Sequence, residues 1–354
     1  MTQKQILQIC ISVFRKVFSV WERTNLVTGV RERLEVSLIK TGAAVLNARD
    51  RKFSKNEASL GYPTLRKKFE ARTGYSLSLD DPQTFCEKMQ WRKFNDRNSL
   101  FPILSDKLRA KEWIREKIGE ERTVPTIFHT TSVLELPIGI ENESLILKTN
   151  HDSGGQLIVS PELGRTRGEI IRYMSQYFFR DFGIRKFEWA YTQINRAVLA
   201  EPLLGGSPDQ LPDDVRIHVF GGRVKYIQYQ TAKFFAEENQ IHIDGTLLLS
   251  PEWTPLSIKR RNDTVLDLPP RPREFERMIE IAEILSAGLD FLRVDFFVMK
   301  GEFYVSETTV YASAGYQQFD PVDYDHELGQ LWILPNSNVN GNLGTEYLRR
   351  GSLS

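Results

Sequence analysis

The sequence predicts an α+β chain built on antiparallel hairpins, and three stretches carry that expectation. Residues 144–159, 214–228 and 291–307 each read as strand, glycine-bearing turn, strand. Between and around them, residues 166–182 and 273–287 show apolar side chains every three or four positions, the spacing of amphipathic helices ended by Gly183 and Gly288.

The hairpin at 291–307 carries the most chemistry. Apolar and polar residues alternate at period two, break at Lys300-Gly301 and resume, with Asp295 on one strand and Glu307 on the other. A two-residue Lys300-Gly301 turn would set Asp295 opposite Ser306 and send the two acids to opposite faces. A three-residue loop ending in a left-handed Gly301 would make a bulge and set Asp295 opposite Glu307. Directly opposed carboxylates repel, and a hard divalent cation would turn that repulsion into binding. Arg293, two residues earlier on the same face, adds a partner for an anion. A solvated strand face carrying ordinary charges is the plainer alternative.

Composition narrows the class. The chain has 354 residues, room for roughly two domains, and a net charge of +1, which argues against a nucleic-acid footprint. Cys10 and Cys86 sit in no CxxC or His-spaced pair, so we expect buried thiols in a reducing compartment. No run of apolar residues is long enough to span a membrane, and Arg15 and Lys16 interrupt the run that a secretory signal would need. A cytoplasmic location follows as the expectation.

In chain order, residues 3–23 read as a helix with Phe14, Val17 and Trp21 on one side and Lys4, Arg15, Lys16 and Arg23 among its cations. That face suits peripheral contact with the inner face of a membrane, or equally packing on its own domain. Residues 31–60 have weak helical periodicity and receive no role. Thr84 with Glu87 forms a capping box ahead of a helix carrying Met89, Trp91 and Phe94. A second helix runs from an N-cap at Ser105 to a stop at Gly119, with Lys107 in its first turn against the helix dipole. Residues 144–159 place Lys148 at the end of a strand, then the polar loop His151, Asp152, Ser153, Gly154, Gly155, then a second strand. Strands on both sides exclude a Walker A loop, yet backbone N–H groups in such a loop can still fold over phosphates. Residues 197–204 form a short buried strand carrying Glu201. The hairpin 214–228 turns at Gly221-Gly222 and carries Asp214, Arg216 and His218 on a ligand-facing or solvated side. Residues 231–265 read as loop, and the tail from Pro335, rich in Asn, Gly and Ser, as frayed.

The order Lys107, Lys148 with its glycine loop, Glu201, the charged hairpin, Arg293-x-Asp295 and Glu307 resembles the ATP-grasp fold, in which two α+β lobes clasp ATP. More narrowly, SDKLRAKEWI, LILKTNHDSGG, DVRIHVFGGRVKYIQ and RVDFF resemble the ATP-grasp family related to teichuronopeptide-biosynthesis proteins. DPQTFCEKMQWRKFNDR and FDPVDYDHELGQLW join that resemblance, which covers roughly residues 75–332. The implied organisation is an N-terminal helical extension (1–60), an N-terminal part of the module (61–143), a lobe with the glycine-rich hairpin (144–204), a C-terminal lobe with the metal hairpin (205–334) and a tail (335–354).

The resemblance implies ATP and Mg²⁺ as cofactors. Lys107 and Lys148 would hold phosphates, Ser153, Gly154 and Gly155 would close over them, and Glu201 would lie at the adenine hinge. His151, Asp214 and Arg216 join the nucleotide-binding candidates, and Asp295, Glu307 and Thr309 form the metal set. Lys148 and Arg293 would act on the transferring phosphoryl group. One departure stands out: the family pattern Glu-x-Asn is Glu307-Thr308-Thr309 here, so a hydroxyl replaces an amide at the second metal position. The implied reaction is ligation of a carboxylate to an amine through an acyl-phosphate, in surface-polysaccharide or capsule assembly, for example adding an amino acid to a uronic acid. A phosphotransferase acting on a sugar and a nucleotide-binding protein without turnover are the alternatives. No GxSxG elbow or histidine cage points to another chemistry.

Overall fold

The structure is a computed structural model describing residues 28–238, 240–261 and 263–335; the helix expected at 3–23 and most of the tail lie outside the described residues. The helices are α1 (Thr28–Ser59), α2 (Pro63–Thr73), α3 (Phe85–Asn95), α4 (Phe101–Ser105), α5 (Lys107–Ile118), α6 (Arg167–Phe178), α7 (Phe182–Lys186), α8 (Phe275–Ser286) and α9 (Asp323–Leu331). The strands are β1 (Phe128–Thr130), β2 (Leu145–Thr149), β3 (Gln156–Val159), β4 (Val198–Pro202), β5 (Asp213–Phe220), β6 (Arg223–Phe235), β7 (Gln240–Leu249), β8 (Lys259–Arg260), β9 (Phe291–Met299), β10 (Glu302–Thr309) and β11 (Phe319–Asp320). They form a four-stranded sheet ordered β1-β4-β2-β3, a five-stranded sheet ordered β10-β9-β5-β6-β7, and a two-stranded piece of β11 and β8. Every ladder within these sheets is antiparallel, as the hairpin patterns predict.

Each large sheet has its own apolar core. In the small lobe, Leu145, Leu147, Leu157, Val159, Val198 and Ala200 pack with Ile170, Ile171 and Met174 of α6. In the large lobe, Val215, Ile217, Leu292, Val294 and Phe296 pack with Met278, Ile281 and Leu285 of α8. Side chains alternate across a strand, so the neighbours of these residues occupy the opposite face. One end of that opposite face is closed by aromatics: Phe291 lies 5.1 Å from Phe85, 4.9 Å from Phe220 and 4.9 Å from Trp332. Beyond them the same face turns polar, and it carries the candidate site.

The Thr84–Glu87 capping box forms as expected, Glu87 N donating to Thr84 Oγ1 at 3.1 Å. Three local expectations are corrected. Asp106, not Ser105, caps α5; its carboxylate accepts from Leu108 N and Arg109 N and so offsets the cation at Lys107. Gly183 does not end α6 but sits inside α7, where a Cβ would meet Glu188 O at 2.4 Å. Residues 231–265 are not mainly loop, since β6 runs on to Phe235 and β7 follows. The outer part of that ribbon is largely exposed on both faces, so no alternation marks it.

Residues 31–60, left without a role, belong to the long helix α1. Its buried stripe is mostly polar: Glu32, Glu35, Asn47, Asp50, Ser54 and Glu57. Glu32 pairs with Arg167 at 2.5 Å, Asp50 with Arg180 at 2.7 Å, and Asn47 Nδ2 donates to Phe179 O at 2.8 Å. The helix is anchored on α6 by charge and hydrogen bonds, and a hydrophobic pattern cannot reveal that. Among the described residues, no helix is long and apolar enough to cross a membrane.

Candidate functional site

The hairpin of β9 and β10 pairs Asp295 with Glu307, the outcome expected of a bulge, by a different route. The turn has two residues: Met299 pairs with Glu302, and Lys300 (φ 53°) and Gly301 (φ 84°) are both left-handed, as a hairpin turn of this type requires. The register shift lies at Ser306, between Val305 and Glu307. Without that extra residue Asp295 would face Ser306. The bulge therefore aims Glu307 to the face of Asp295, as bulges beside functional sites commonly re-aim a side chain.

Cross-strand register extends the row. Asp295 pairs with Arg216 of β5, and Arg216 with Gln228 of β6; one step along, Arg293 pairs with Thr309 and His218, and His218 with Tyr226. In the other direction Phe297 pairs with Asp214, and Asp214 with Gln230. Arg293 forks onto Asp295, Nε to Oδ1 at 2.7 Å and Nη2 to Oδ2 at 2.6 Å, and Nη2 also donates to Thr309 Oγ1 at 3.0 Å. Burial alone would lower the guanidinium; Asp295, with Glu307 and Asp214 behind it, more than reverses this and keeps it charged. Arg216 pairs with Asp214 at 2.7 Å and reaches Asp295 at 3.9 Å. Burial pushes the Asp214 carboxyl up against the pull of Arg216, and its Oδ1 has no hydrogen-bond partner.

The small lobe contributes a second charged group. Glu201, 2% exposed, receives Lys148 Nζ on Oε2 at 2.5 Å and Lys111 Nζ on Oε1 at 2.5 Å. Burial would raise the Glu201 carboxyl, but Lys148 and Lys111 outweigh it and hold the group below its ordinary value. Lys111 also donates to Val124 O at 2.9 Å. Burial brings its ammonium down to about 8, against the pull of Glu201.

The loop after β2 is fixed from within. Thr149 Oγ1 donates to Asp152 Oδ1 at 2.5 Å and Thr149 N to Gly155 O at 2.8 Å. A Cβ on Gly155 would meet Thr149 Oγ1 at 2.2 Å, so only glycine closes this turn. Ser153 and Gly154 (φ 106°) form the exposed tip. Lys107 Nζ donates to Asp152 O, which ties the start of α5 to the loop. His151 is buried, its Nε2 3.3 Å from Arg180 O, and burial first, then Arg196 and Lys107, bring it down to about 3. It is neutral at pH 7 and brings no positive charge to a phosphate.

The two groups approach each other. Lys148 Nζ lies 5.5 Å from the centre of the Phe297 ring, so the small-lobe lysine stands at one end of the polar row that continues through Asp295 to Arg293 and His218. Sequence reasoning missed Lys111 and Gln228 and left His218 without a site role. Lys111 is four residues after Lys107, one helical turn on, and His218 is two residues after Arg216 on an alternating strand. Both signals were present in the spacing.

An antiparallel four-stranded lobe with a glycine hairpin, set against an antiparallel sheet with paired carboxylates, is the ATP-grasp arrangement. The chain belongs to the TupA-like ATPgrasp family, whose profile matches residues 87–333. Among solved structures it is similar to D-alanine–D-alanine ligase from Bacillus anthracis, at 17% identity over 70% of this chain and 69% of that one, with a TM-score of 0.35. The enzyme of the same name from Helicobacter pylori aligns at 16% identity over 66% and 62% of the two chains, TM-score 0.36. The ATP-grasp ligase PsnB complexed with minimal precursor, Mg and ADP aligns at 12% identity over 67% and 60%, TM-score 0.36. A search of curated proteins returned no match.

Proposed function

We propose that the chain is an ATP- and Mg²⁺-dependent ligase that joins a carboxylate to an amine through an acyl-phosphate. The observation that supports this best is the Asp295–Glu307 pair with the Arg293 fork beside it, in a chain of the TupA-like ATPgrasp family. The donor set fits the ion: carboxylate and hydroxyl oxygens only, the preference of a hard cation. Among the described residues, no group of three His, Cys, Asp or Glu side chains is placed to hold a metal. Two carboxylates are what Mg²⁺ commonly takes from a protein, with substrate phosphates and water completing its shell. Asp295 and Glu307 would hold the ion, with the Thr309 hydroxyl beside them, and the ion would neutralise charge at the transferring phosphoryl group.

The remaining work falls to the chain's own residues. Lys148 and Lys107 bracket the loop 149–155 and would hold phosphate oxygens, with Ser153 and Gly154 at the tip closing over them. Asp214 and Arg216 continue the same face. Glu201 sits on β4, inside the small-lobe sheet, and its main task in this reading is to anchor Lys148 and Lys111. Arg293, held beside the acid pair by its fork onto Asp295, would meet the charge that develops on the transferring phosphoryl group. A substrate carboxylate oxygen then attacks the γ-phosphorus and ADP leaves. An amine nitrogen attacks the acyl-phosphate carbon, phosphate departs, and the amine proton passes to solvent. Positioning and fixed charge carry the rate, with no covalent enzyme intermediate.

Family membership favours surface-polysaccharide or capsule assembly, with an amino acid added to a uronic acid as the working substrate pair. The test is ADP release that requires both an acid and an amine. Release without an amide product across a broad panel would sink the ligase reading. Phosphate found on a sugar hydroxyl would replace it with a phosphotransferase. The Thr309 hydroxyl in place of an amide favours a second reading, nucleotide binding without turnover; a gain of activity in Thr309→Asn would support that reading.

A further inference from the structure

The polar face does not end at Arg293. One strand step beyond the acid pair, His218 is 2% exposed and neither ring nitrogen has a hydrogen-bond partner. Gln228, also 2% exposed, leaves its Nε2 unpaired on the same face. Such groups are costly, because a buried polar atom without a partner has given up its hydrogen bonds to water and gained none in return. The His218 ring stacks on Tyr226 at 4.0 Å, and Tyr226 lies 6.5 Å from Phe319 of β11. Phe319 pairs with Arg260 of β8, so the two-stranded piece brings Arg260 to the same region. Arg260 meets Asp263 at 3.4 Å, and its side chain stays 22% exposed.

A neutral imidazole must carry a hydrogen on one nitrogen, so His218 offers a donor with no acceptor. Burial first, then Arg293, Arg216 and Arg260, hold it well below its ordinary value and keep it neutral at pH 7. A buried donor beside three guanidiniums is an environment that an anion satisfies. The position along the strand says which anion. Lys148 stands at the Phe297 end, the acids one step on, Arg293 and His218 one step further, and each two-residue step is roughly 7 Å. A carboxylate reacting between the metal pair and Arg293 therefore leaves His218 and Arg260 to a different part of the same molecule.

The geometry points to a subsite, formed by His218, Gln228 and Arg260, for a second anionic group on the acid substrate, which makes that substrate a dicarboxylate or its equivalent and narrows the working pair, since a lone uronic acid carries one carboxylate. This rests on the ligase reading for the place of the reacting carboxylate. Arg260 supplies charge, while His218 and Gln228 supply the donors. Selectivity for a doubly charged acid follows, because a singly charged one leaves those buried donors unpaired.

The probes are glutarate and butyrate, titrated by calorimetry into the full chain with and without Mg²⁺ and a non-hydrolysable ATP analogue. We expect glutarate to bind at least tenfold more tightly than butyrate, and Arg260→Gln or His218→Phe to remove that preference. Phenylalanine keeps the stack on Tyr226, and Arg260→Lys, which keeps the charge, should retain part of the preference. Analogue affinity should not change in any of the three. Equal binding of the two acids, no binding of either, or a preference that survives both substitutions overturns the subsite. Failure of the parent reading looks different: the analogue does not bind, or binds with no dependence on Asp295, whatever glutarate does in the nucleotide-free protein.

Discussion

In the small lobe the buried charges around Glu201 answer one another, with Lys148 and Lys111 each 2.5 Å from a carboxylate oxygen and Lys111 held further by Val124 O. On the large sheet, the row from Asp214 to His218 leaves Asp214 Oδ1, Gln228 Nε2 and both His218 nitrogens unpaired. Both regions are buried and charged, yet one is closed and the other open. Closed networks rigidify, because each member fixes the geometry of the next. An open one retains hydrogen-bonding capacity that a ligand can use. The contrast assigns scaffolding to Glu201 and Lys111, which fix Lys148 in place, and recognition to the sheet face, and substitutions in the two should fail in different ways.

The largest effect is expected at Asp295. Asp295→Asn removes a metal ligand and the partner of the Arg293 fork, and ADP release should fall by about 10³-fold, the scale of losing one preorganised electrostatic contact. Retained activity with unchanged Mg²⁺ dependence would remove Asp295 from the metal set. The matching change in the closed network is Glu201→Gln, which leaves two buried ammonium groups sharing an amide. Breaking a buried pair from one side costs about 3–5 kcal/mol, and denaturant titration should show a loss of that size. Adding Lys111→Met should recover part of it. If Glu201→Gln instead leaves stability untouched and weakens nucleotide binding alone, the scaffolding role is wrong.

The same contrast explains what the sequence made legible. Patterns of polar and apolar alternation located β9, β10, β5 and β2, and the capping signature located α3. The Asp295–Glu307 pairing was expected for a local reason that proved different, because φ values at Lys300 and the bulge at Ser306 depend on the whole ladder. Polar contacts were the least legible. The buried stripe of α1 reads as a solvated helix until Arg167, Arg180 and Phe179 O, 130 or more positions away, are seen to meet it. His218 reads as one more charged-strand residue until the sheet buries it. Spacing puts His218 on the face of Arg216, but that its ring is buried without a hydrogen-bond partner is a tertiary fact that spacing does not carry.

A smaller effect separates positioning from binding on the open face. Thr309 Oγ1 accepts from Arg293 Nη2 at 3.0 Å, so Thr309→Val loses one charge-assisted hydrogen bond, worth roughly 1.5–3 kcal/mol. The turnover rate should drop about tenfold, at the low end of that range, while analogue affinity stays within twofold. An equal loss in both would mean that Thr309 acts on the nucleotide or its metal and not through Arg293.

The most gradual effect, spread over pH, comes from Lys111, and it tests whether the closed network is as buried as its contacts imply. Burial brings the ammonium from an ordinary 10.5 down to about 8 in the folded chain. Between those two values the unfolded chain keeps a proton that the folded chain has released. Unfolding then takes up a proton, so stability rises with pH in that window at about 1.4 kcal/mol per unit for one group. Below pH 8 both states are protonated and the burial penalty is constant. Other lysines and tyrosines titrate in the same range, so the measurement is a difference: wild type minus Lys111→Met, by denaturant titration at steps from pH 7.5 to 10. Methionine fills a similar volume and leaves Glu201 paired with Lys148. The difference should be flat up to about pH 8 and then move in favour of the wild type. Parallel curves across the range would mean that the Lys111 ammonium stays solvated, and the small lobe would then be as open as the sheet it faces.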